Sequence, residues 1–260
     1  MTDIDQKKTS SIIWGVLDPQ TLRGISMNVK DKKALVFGGT SGIGLATAKK
    51  LASLGSKVIA VSRYPDKAGD VSEGITLQKC DVRDREALSQ LFQECAPFDI
   101  LVSAATGGTR SFGPFLEMDM DGYQASFDKL WGYANVVRFG AEHMSEYGTI
   151  VLVSGAPARK AKPGQVSLAS VGGAVEALVR SVAPEIAPRR LNVVSPGFID
   201  TPMVPLKGKE REELYKKNTS KHVIPRAGTA EEVAQGILFL IQNDFVTGTT
   251  SDVDGGWLLS

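Results

Sequence analysis

The sequence predicts an α/β protein built as a three-layer αβα sandwich, with a doubly wound parallel sheet between two layers of helices. Short apolar runs of strand length alternate along the chain with helical segments, which is typical of βα units and of a mostly parallel sheet covered on both faces. A glycine-rich turn also joins the first apolar run to the first helical segment. Because ligands of such sheets bind beyond the carboxyl ends of the strands, we expect a site at that edge.

Length and composition favour one globular domain. The chain has 260 residues, of which 42% are hydrophobic and 23% are charged, so it can bury a substantial core. We expect residues 1–30 to form an N-terminal extension and residues 31–260 to form a single domain.

Charge and hydropathy exclude several classes of protein. The formal net charge is +1, with acids and bases mixed along the chain, so no basic face indicates a nucleic-acid partner. No apolar run approaches the roughly 20 residues of a membrane span, and the polar N-terminus does not resemble a secretory signal. Cys80 and Cys95 lack the spacing of metal ligands. We therefore expect a cytoplasmic protein with no metal and no membrane partner.

The predicted elements follow one another in a regular order. The first strand is Ala34-Leu35-Val36-Phe37, and the first helix runs from the glycine turn to about Leu54. Further strands are expected at residues 58–61, 76–81, 100–102, 150–153 and 190–194, and further helices at about residues 85–95, 123–144 and 172–186.

The turn after the first strand has the spacing Gly-x-x-x-Gly-x-Gly, at Gly38, Gly42 and Gly44. Glycines let the backbone approach a ligand closely, and the free N–H groups and positive dipole end of a helix favour phosphate. Since the turn lies at a strand-to-helix junction, it predicts a dinucleotide site.

Several motifs, in the same order, resemble the short-chain dehydrogenase/reductase family from about Asp31 onward. They are the glycine turn, where Phe37 replaces the usual Thr, then Asp81, the segment NVVSPGFIDTPM at residues 192–203, and DVDGG at residues 252–256. The resemblance implies a Rossmann-like fold. It also implies a dinucleotide cofactor that is held by Gly38, Thr40, Ser41, Gly42, Ile43, Gly44, Ser62, Arg63, Asp81, Val82, Ala104, Pro196, Gly197, Ile199 and Thr201.

The end of the second strand indicates which cofactor is bound. In a dinucleotide fold, an acidic residue about 20 positions beyond the glycines binds the ribose 2′-hydroxyl, whereas an arginine suits a 2′-phosphate. The second strand here ends in Ser62-Arg63, with no acid at that position. A guanidinium can hold a phosphate through paired hydrogen bonds, so NADP(H) is favoured over NAD(H).

The catalytic motif of the family is not preserved. The resemblance implies a Ser at the end of the fifth strand, and Ser154 fits it. The family's Tyr-x-x-x-Lys pair falls on Ser167 and Val171, and an aliphatic hydroxyl is too weak an acid to replace an activated phenol. Lys129 stands where the family has its Asn. The usual proton-donating mechanism is therefore lost, while the cofactor motifs remain.

Two hypotheses account for this pattern. In the first, the protein is an NADP(H)-dependent oxidoreductase of a small carbonyl or alcohol substrate, with a rebuilt site at Ser154, Lys129, Ser167 and Tyr133. Lys129 and Tyr133 are four residues apart, on one helical face, and the lysine would bind ribose or polarise a carbonyl beside Ser154. In the second, the protein binds NADP(H) without turnover, as a sensor or scaffold.

The resemblance also implies self-association. Members of the family are commonly dimers or tetramers built on the long helices after the fourth and fifth strands. The small residues Gly172, Gly173 and Ala174 would let such helices approach closely, so we expect a homo-oligomer, with a homotetramer favoured.

Overall fold

The predicted fold class is confirmed. The computed structural model describes residues 26–69, 71, 73–106 and 110–260, and these form a seven-stranded sheet in the order β3-β2-β1-β4-β5-β6-β9. Every neighbouring pair in this sheet is parallel. Its strands are β1 (Lys33–Phe37), β2 (Lys57–Ser62), β3 (Ile75–Lys79), β4 (Phe98–Ser103), β5 (Met144–Val153), β6 (Arg190–Pro196) and β9 (Thr250–Val253).

Two layers of helices cover the sheet. Helices α1 and α7 pack against each other on one face, and α2, α4 and α5 pack on the other. No helix in the described ranges has both the length and the apolar character needed to cross a membrane. The helices are α1 (Gly42–Ser53), α2 (Arg85–Cys95), α3 (Met120–Ser126), α4 (Asp128–Gly140), α5 (Val166–Val182), α6 (Gly208–Thr219) and α7 (Ala230–Gln242). Two-residue strands, β7 (Ile199–Asp200) and β8 (Gly228–Thr229), pair with each other.

The strand β1 shows why the apolar runs are continuous. Leu35 and Phe37 belong to the core under α2, α4 and α5, while Ala34 and Val36 belong to the core under α1 and α7. Successive side chains of a strand point to opposite faces, so a strand covered on both sides needs apolar residues at every position.

Two predicted helices differ from those observed. The single helix expected at residues 123–144 is two helices, α3 and α4, which are separated at Phe127. Helix α3 begins before residue 123, where the Asp119 carboxylate caps the N–H groups of Asp121 and Gly122. Helix α4 ends at Gly140, before the predicted end. The helix expected from residue 172 begins at Val166. It ends at Val182, since Pro184 has no N–H to continue the helical hydrogen-bond pattern.

The last part of the predicted N-terminal extension packs on the domain. Residues 1–25 lie outside the described residues. The Met27 N–H and the Ser26 hydroxyl both donate to the carbonyl of Gln242, at 3.0 and 2.9 Å, and Val29 is buried. Residues 26–30 therefore form part of the folded body at the end of α7.

The glycine turn lies at the topological switch point of the sheet. Strand β1 is flanked by β2 and β4, so the chain leaves it in opposite directions and a crevice opens above its carboxyl end. Gly38 has φ +75°, and a Cβ there would lie 2.9 Å from the Ala104 carbonyl carbon. A Cβ on Gly44 would lie 2.1 Å from the Gly38 carbonyl oxygen. Both positions require glycine.

Substitution Gly44→Ala tests this constraint. The added methyl group meets backbone that cannot rotate away, so we expect the free energy of unfolding in urea to fall by about 1–3 kcal/mol or more. The matched control is Gly173→Ala, whose Cβ would have no atom nearer than the Ala158 carbonyl oxygen at 4.0 Å. Because alanine is the better helix former and its methyl group would meet no clash within the chain, this variant should be clearly more stable than Gly44→Ala. Equal stability of the two variants would contradict the argument.

Candidate functional site

A cleft of about 610 Å³ runs along the carboxyl ends of the parallel strands. All of the residues predicted from the sequence to bind the cofactor or to take part in catalysis lie along it. On the cofactor side these are Gly38, Thr40, Ser41, Gly42, Ile43, Gly44, Ser62, Arg63, Asp81, Val82, Ala104, Pro196, Gly197, Ile199 and Thr201, and on the catalytic side Lys129, Tyr133, Ser154 and Ser167.

The glycine turn forms the middle of the cleft. Ser41 is the N-cap of α1, but its side chain makes no capping hydrogen bond, so the first N–H groups of the helix stay available for a ligand. These N–H groups and the positive end of the helix dipole face the cleft where Gly42 and Gly44 line it. This arrangement fits the pyrophosphate of a dinucleotide.

Strands β2 and β3 form one end of the cleft. The Ser62 hydroxyl oxygen accepts the Tyr64 N–H at 3.1 Å, and the Arg63 guanidinium lies 5.8 Å from the Tyr64 ring centroid. Beyond β3, the Asp81 carboxylate accepts the Arg83 N–H at 3.0 Å. Arg63 and Asp81 are thus the charged residues that line the cleft at this end, among those that the structure describes.

Val82 is held in place by α4. A Cβ on Gly132 would lie 2.5 Å from a methyl carbon of Val82, and the side-chain amide of Asn135 donates to the Val82 carbonyl at 3.0 Å. The absence of a side chain at Gly132 thus brings α4 close to the loop after β3, and α4 also carries Lys129.

Ser154 lies at the other end of the cleft, directly after β5. Its hydroxyl is 3.2 Å from both the Gly172 carbonyl oxygen and Glu176 Oε1. Glu176 is only 4% exposed and lies 3.6 Å from Arg159 Nε. Since the Ser154 proton points to these acceptors, its oxygen can present lone pairs to the cleft.

Lys129 lies beside Ser154. Its ammonium donates to the Ser154 carbonyl at 3.4 Å and lies 5.5 Å from the Tyr133 ring centroid. Burial, together with a smaller effect of the positive charge of Arg110, lowers the pKa of Lys129 to about 7. The side chain is half-buried and faces the open cleft, so water in the cleft opposes the shift. A lysine with a pKa near neutrality can both donate and accept a proton.

Two of the predicted catalytic hydroxyls are committed to other contacts. The Tyr133 side chain is fully buried, its hydroxyl donates to the Val153 carbonyl at 3.1 Å, and burial raises its pKa. The Ser167 hydroxyl, 1% exposed, donates to the Ser111 carbonyl. Both residues lie along the cleft as predicted, and the hydroxyl of each is already used to bond a backbone carbonyl.

Three residues of the site were missed in the sequence. Glu176 accepts a hydrogen bond from the Ser154 hydroxyl, and Arg159 lies beside Glu176. Arg110 lines the cleft near Lys129. Glu176 is a buried carboxylate on the inner face of α5, nine residues after Ser167. An acid among apolar residues at helical spacing is the signal that could have identified it. Arg110 follows a glycine-containing stretch of sequence with no periodic pattern, and nothing in the sequence singles it out.

Comparison with known proteins identifies the family. The family profile described as enoyl-(acyl carrier protein) reductase matches residues 38–258. A 3-oxoacyl-[acyl-carrier-protein] reductase from Mus musculus is 32% identical over 241 residues, covering 88% of this chain and 99% of the relative. An L-xylulose reductase from Mus musculus is 30% identical over 248 residues, covering 90% and 99%.

Solved structures agree in fold. A small-chain dehydrogenase in complex with NADPH is 30% identical, with a TM-score of 0.75 over 89% of this chain and 100% of the other. The ligand-free aldohexose dehydrogenase from Thermoplasma acidophilum is 29% identical, with a TM-score of 0.81 over 91% and 97%. Together with the sheet order and the glycine turn, these similarities show that the chain belongs to the short-chain dehydrogenase/reductase family of Rossmann-fold oxidoreductases.

Proposed function

We propose that this protein is an NADP(H)-dependent oxidoreductase of a small carbonyl or alcohol substrate, with an atypical proton donor. The observation that carries the proposal is that one cleft contains the glycine turn, Arg63 and the Lys129–Ser154 pair. The reductase relatives and the NADPH complex support it.

The cofactor side of the cleft fits a dinucleotide phosphate. The uncapped N–H groups of α1 would bind the pyrophosphate, Arg63 the 2′-phosphate, and Asp81 with Val82 would face the adenine. Pro196 and Gly197 would contact the nicotinamide side, where a Cβ on Gly197 would lie 2.6 Å from the Asp254 carbonyl oxygen. When bound, a reduced nicotinamide supplies a hydride to the carbonyl carbon of the substrate.

Lys129 takes the role of the missing tyrosine. In carbonyl reduction, the oxygen that gains negative charge must receive a proton. The Lys129 ammonium would polarise that oxygen and then transfer the proton to it, leaving a neutral amine that regains a proton from water. Tyr133 and the Ser154 carbonyl fix the position of the ammonium, and Glu176 fixes the rotamer of the Ser154 hydroxyl.

One observation favours the alternative of a protein that binds NADP(H) without turnover. At the positions of the family's catalytic pair, Val171 is 4% exposed and apolar, and the Ser167 hydroxyl is bonded to backbone. Substrate-dependent oxidation of NADPH distinguishes the two functions. Its absence over a broad panel of carbonyl compounds, with tight NADPH binding retained, would favour a sensor or scaffold.

We further propose that the protein is a cytoplasmic homo-oligomer, with a homotetramer favoured. Trp131 on α4 and Met120 on α3 are 59% and 56% exposed, and burial of such apolar side chains against a second copy would favour association. Light scattering during size exclusion should give a mass of two or four chains, whereas a mass of one chain would contradict this expectation.

Substitution Arg63→Ala tests the preference for NADP(H). Since a hydrogen bond to a charged group contributes about 1.5–3 kcal/mol, NADPH affinity should fall by about 10–100-fold while NADH affinity stays nearly unchanged. The matched control is Lys67→Ala, which removes a cation 4.9 Å from the same Tyr64 ring outside the cleft lining. Fluorescence titration of the wild type and both variants measures the six affinities, and an equal loss for both cofactors in Arg63→Ala would contradict the assignment.

Substitution Lys129→Met tests the proton donor. Reduction needs the protonated amine, so activity is fully present below the pKa and is lost as the pH rises through it. We expect kcat/KM for carbonyl reduction to fall above about pH 7, which is the alkaline limb of the pH profile. The phosphates of a bound cofactor favour the ammonium form of Lys129 and would shift this limb to higher pH. The variant should lower kcat by about 10²–10⁴-fold and abolish this limb.

The control for Lys129→Met is Lys49→Met, which changes an exposed lysine on the outer side of α1. It should keep both the rate and the pH profile. Unchanged turnover of a verified substrate by Lys129→Met would show that the proton comes from another source.

A further inference from the structure

The charged side chains of the cleft are unevenly distributed. Among the described residues that line it, Arg63, Asp81, Arg110 and Lys129 are charged. Arg63 and Asp81 lie at the end formed by β2 and β3. Lys129 lies beside Ser154, and Arg110 precedes Ser111, whose carbonyl accepts the Ser167 hydroxyl. The substrate end therefore carries two cations, and its described lining includes no carboxylate.

Arg110 has no counter-ion in the described part of the chain. No described residue forms a hydrogen bond or ion pair with its guanidinium. The side chain is half-buried, and this burial lowers its pKa. Removing a guanidinium from water without a partner costs free energy, and so does placing it near a second cation. A bound anion would offset both costs.

The nearby carboxylates are already committed. Glu176 bonds the Ser154 hydroxyl and lies beside Arg159. Asp119 caps α3, and Asp128 forms an ion pair with Arg83 at 2.7 Å. None of these acids is available to neutralise Arg110 or Lys129.

The same cleft has apolar side chains in its lining. Phe112, Leu168 and Met203 line the cleft, and Phe112 and Met203 are 60% and 57% exposed. An anionic head group bound by the cations could thus be accompanied by a short hydrocarbon body that packs on these side chains.

We propose that the substrate is a short oxo acid, or the corresponding hydroxy acid, whose carboxylate is bound by Arg110 while its carbonyl faces Lys129 and Ser154. This inference rests on the proposed oxidoreductase function and names its substrate class. A guanidinium can pair with a carboxylate through two parallel hydrogen bonds, which fixes the orientation as well as the charge of the ligand. Arg110 is thereby assigned as a specificity-determining residue.

The test uses the full chain saturated with cofactor and matched pairs of ligands. The probes are 2-oxopentanoate, 3-oxopentanoate and 4-oxopentanoate, which differ in the spacing between carbonyl and carboxylate, and the methyl ester of each. Calorimetry with the NADP⁺ complex measures binding, and loss of NADPH absorbance measures turnover. We expect at least one acid to bind about 10–100-fold more tightly than its ester.

Substitution Arg110→Gln should remove that preference. Affinity for the acid should fall to that of the ester, while ester binding and NADPH binding stay unchanged and the urea midpoint does not fall. Arg110→Lys, which keeps the charge but not the paired geometry, should retain part of the preference and serves if the glutamine variant fails to fold. The control Arg180→Gln removes an exposed cation of α5 outside the cleft and should change nothing.

The possible outcomes separate this inference from the proposed function. Binding of an acid that depends on Arg110, without turnover, would support the anion site and contradict the oxidoreductase function. Turnover of esters and acids with equal efficiency would support the function and overturn the anion site. The anion site is also overturned if none of the acids binds, or if Arg110→Gln weakens NADPH binding as much as it weakens acid binding.

Discussion

The close contact between Gly44 and the carbonyl of Gly38 is the constraint on which the site depends. It sets how sharply the chain turns from β1 into α1, and so where the helix N-terminus lies relative to the strand edge. A side chain at either glycine would push α1 away from the sheet or collide with the end of β4. Because α1 also packs against α7, such a displacement would reach the core on that face. The tight turn that packs α1 against the sheet therefore also leaves the first N–H groups of α1 accessible to a phosphate.

In the proposed function, the acid–base site at the substrate end of the cleft changes its residues while keeping its place. The family's phenol and lysine were carried by α5, on one side of the cleft. Here the ionisable group comes from α4, on the adjacent side, and α5 contributes an apolar Val171 and a serine bonded to backbone. The amine can reach the same region because Gly132 and Asn135 hold α4 against the loop after β3. Helix placement, and not the identity of a single side chain, is what the two arrangements share.

The sequence predicted the sheet and the cofactor edge well because both depend on local patterns. Buried parallel strands require apolar residues at every position, as β1 has, and the glycine turn requires fixed spacing. The long helix was predicted incorrectly at its start because the carboxylate cap at Asp119 is a local hydrogen-bond pattern that periodicity does not show. Arg110 could not be placed because its role arises from contacts between distant segments, whereas Glu176 was missed although an acid among the apolar residues of α5 is a visible signal. Tyr133 was placed on the correct face, but only the structure shows that its hydroxyl points to Val153.

Ser154 is connected to the edge of the sheet through a chain of charged groups. Glu176 bonds its hydroxyl, Arg159 lies next to Glu176, and the Arg159 guanidinium donates to Asp252 on β9 at 3.0 Å. Edge strands are commonly chosen as permissive places for loop grafts, display peptides or strand extension. In this scaffold the last strand does not offer that freedom. A graft that displaced Asp252 would release Arg159, leave a buried carboxylate without its counter-charge, and alter the cleft from its far side.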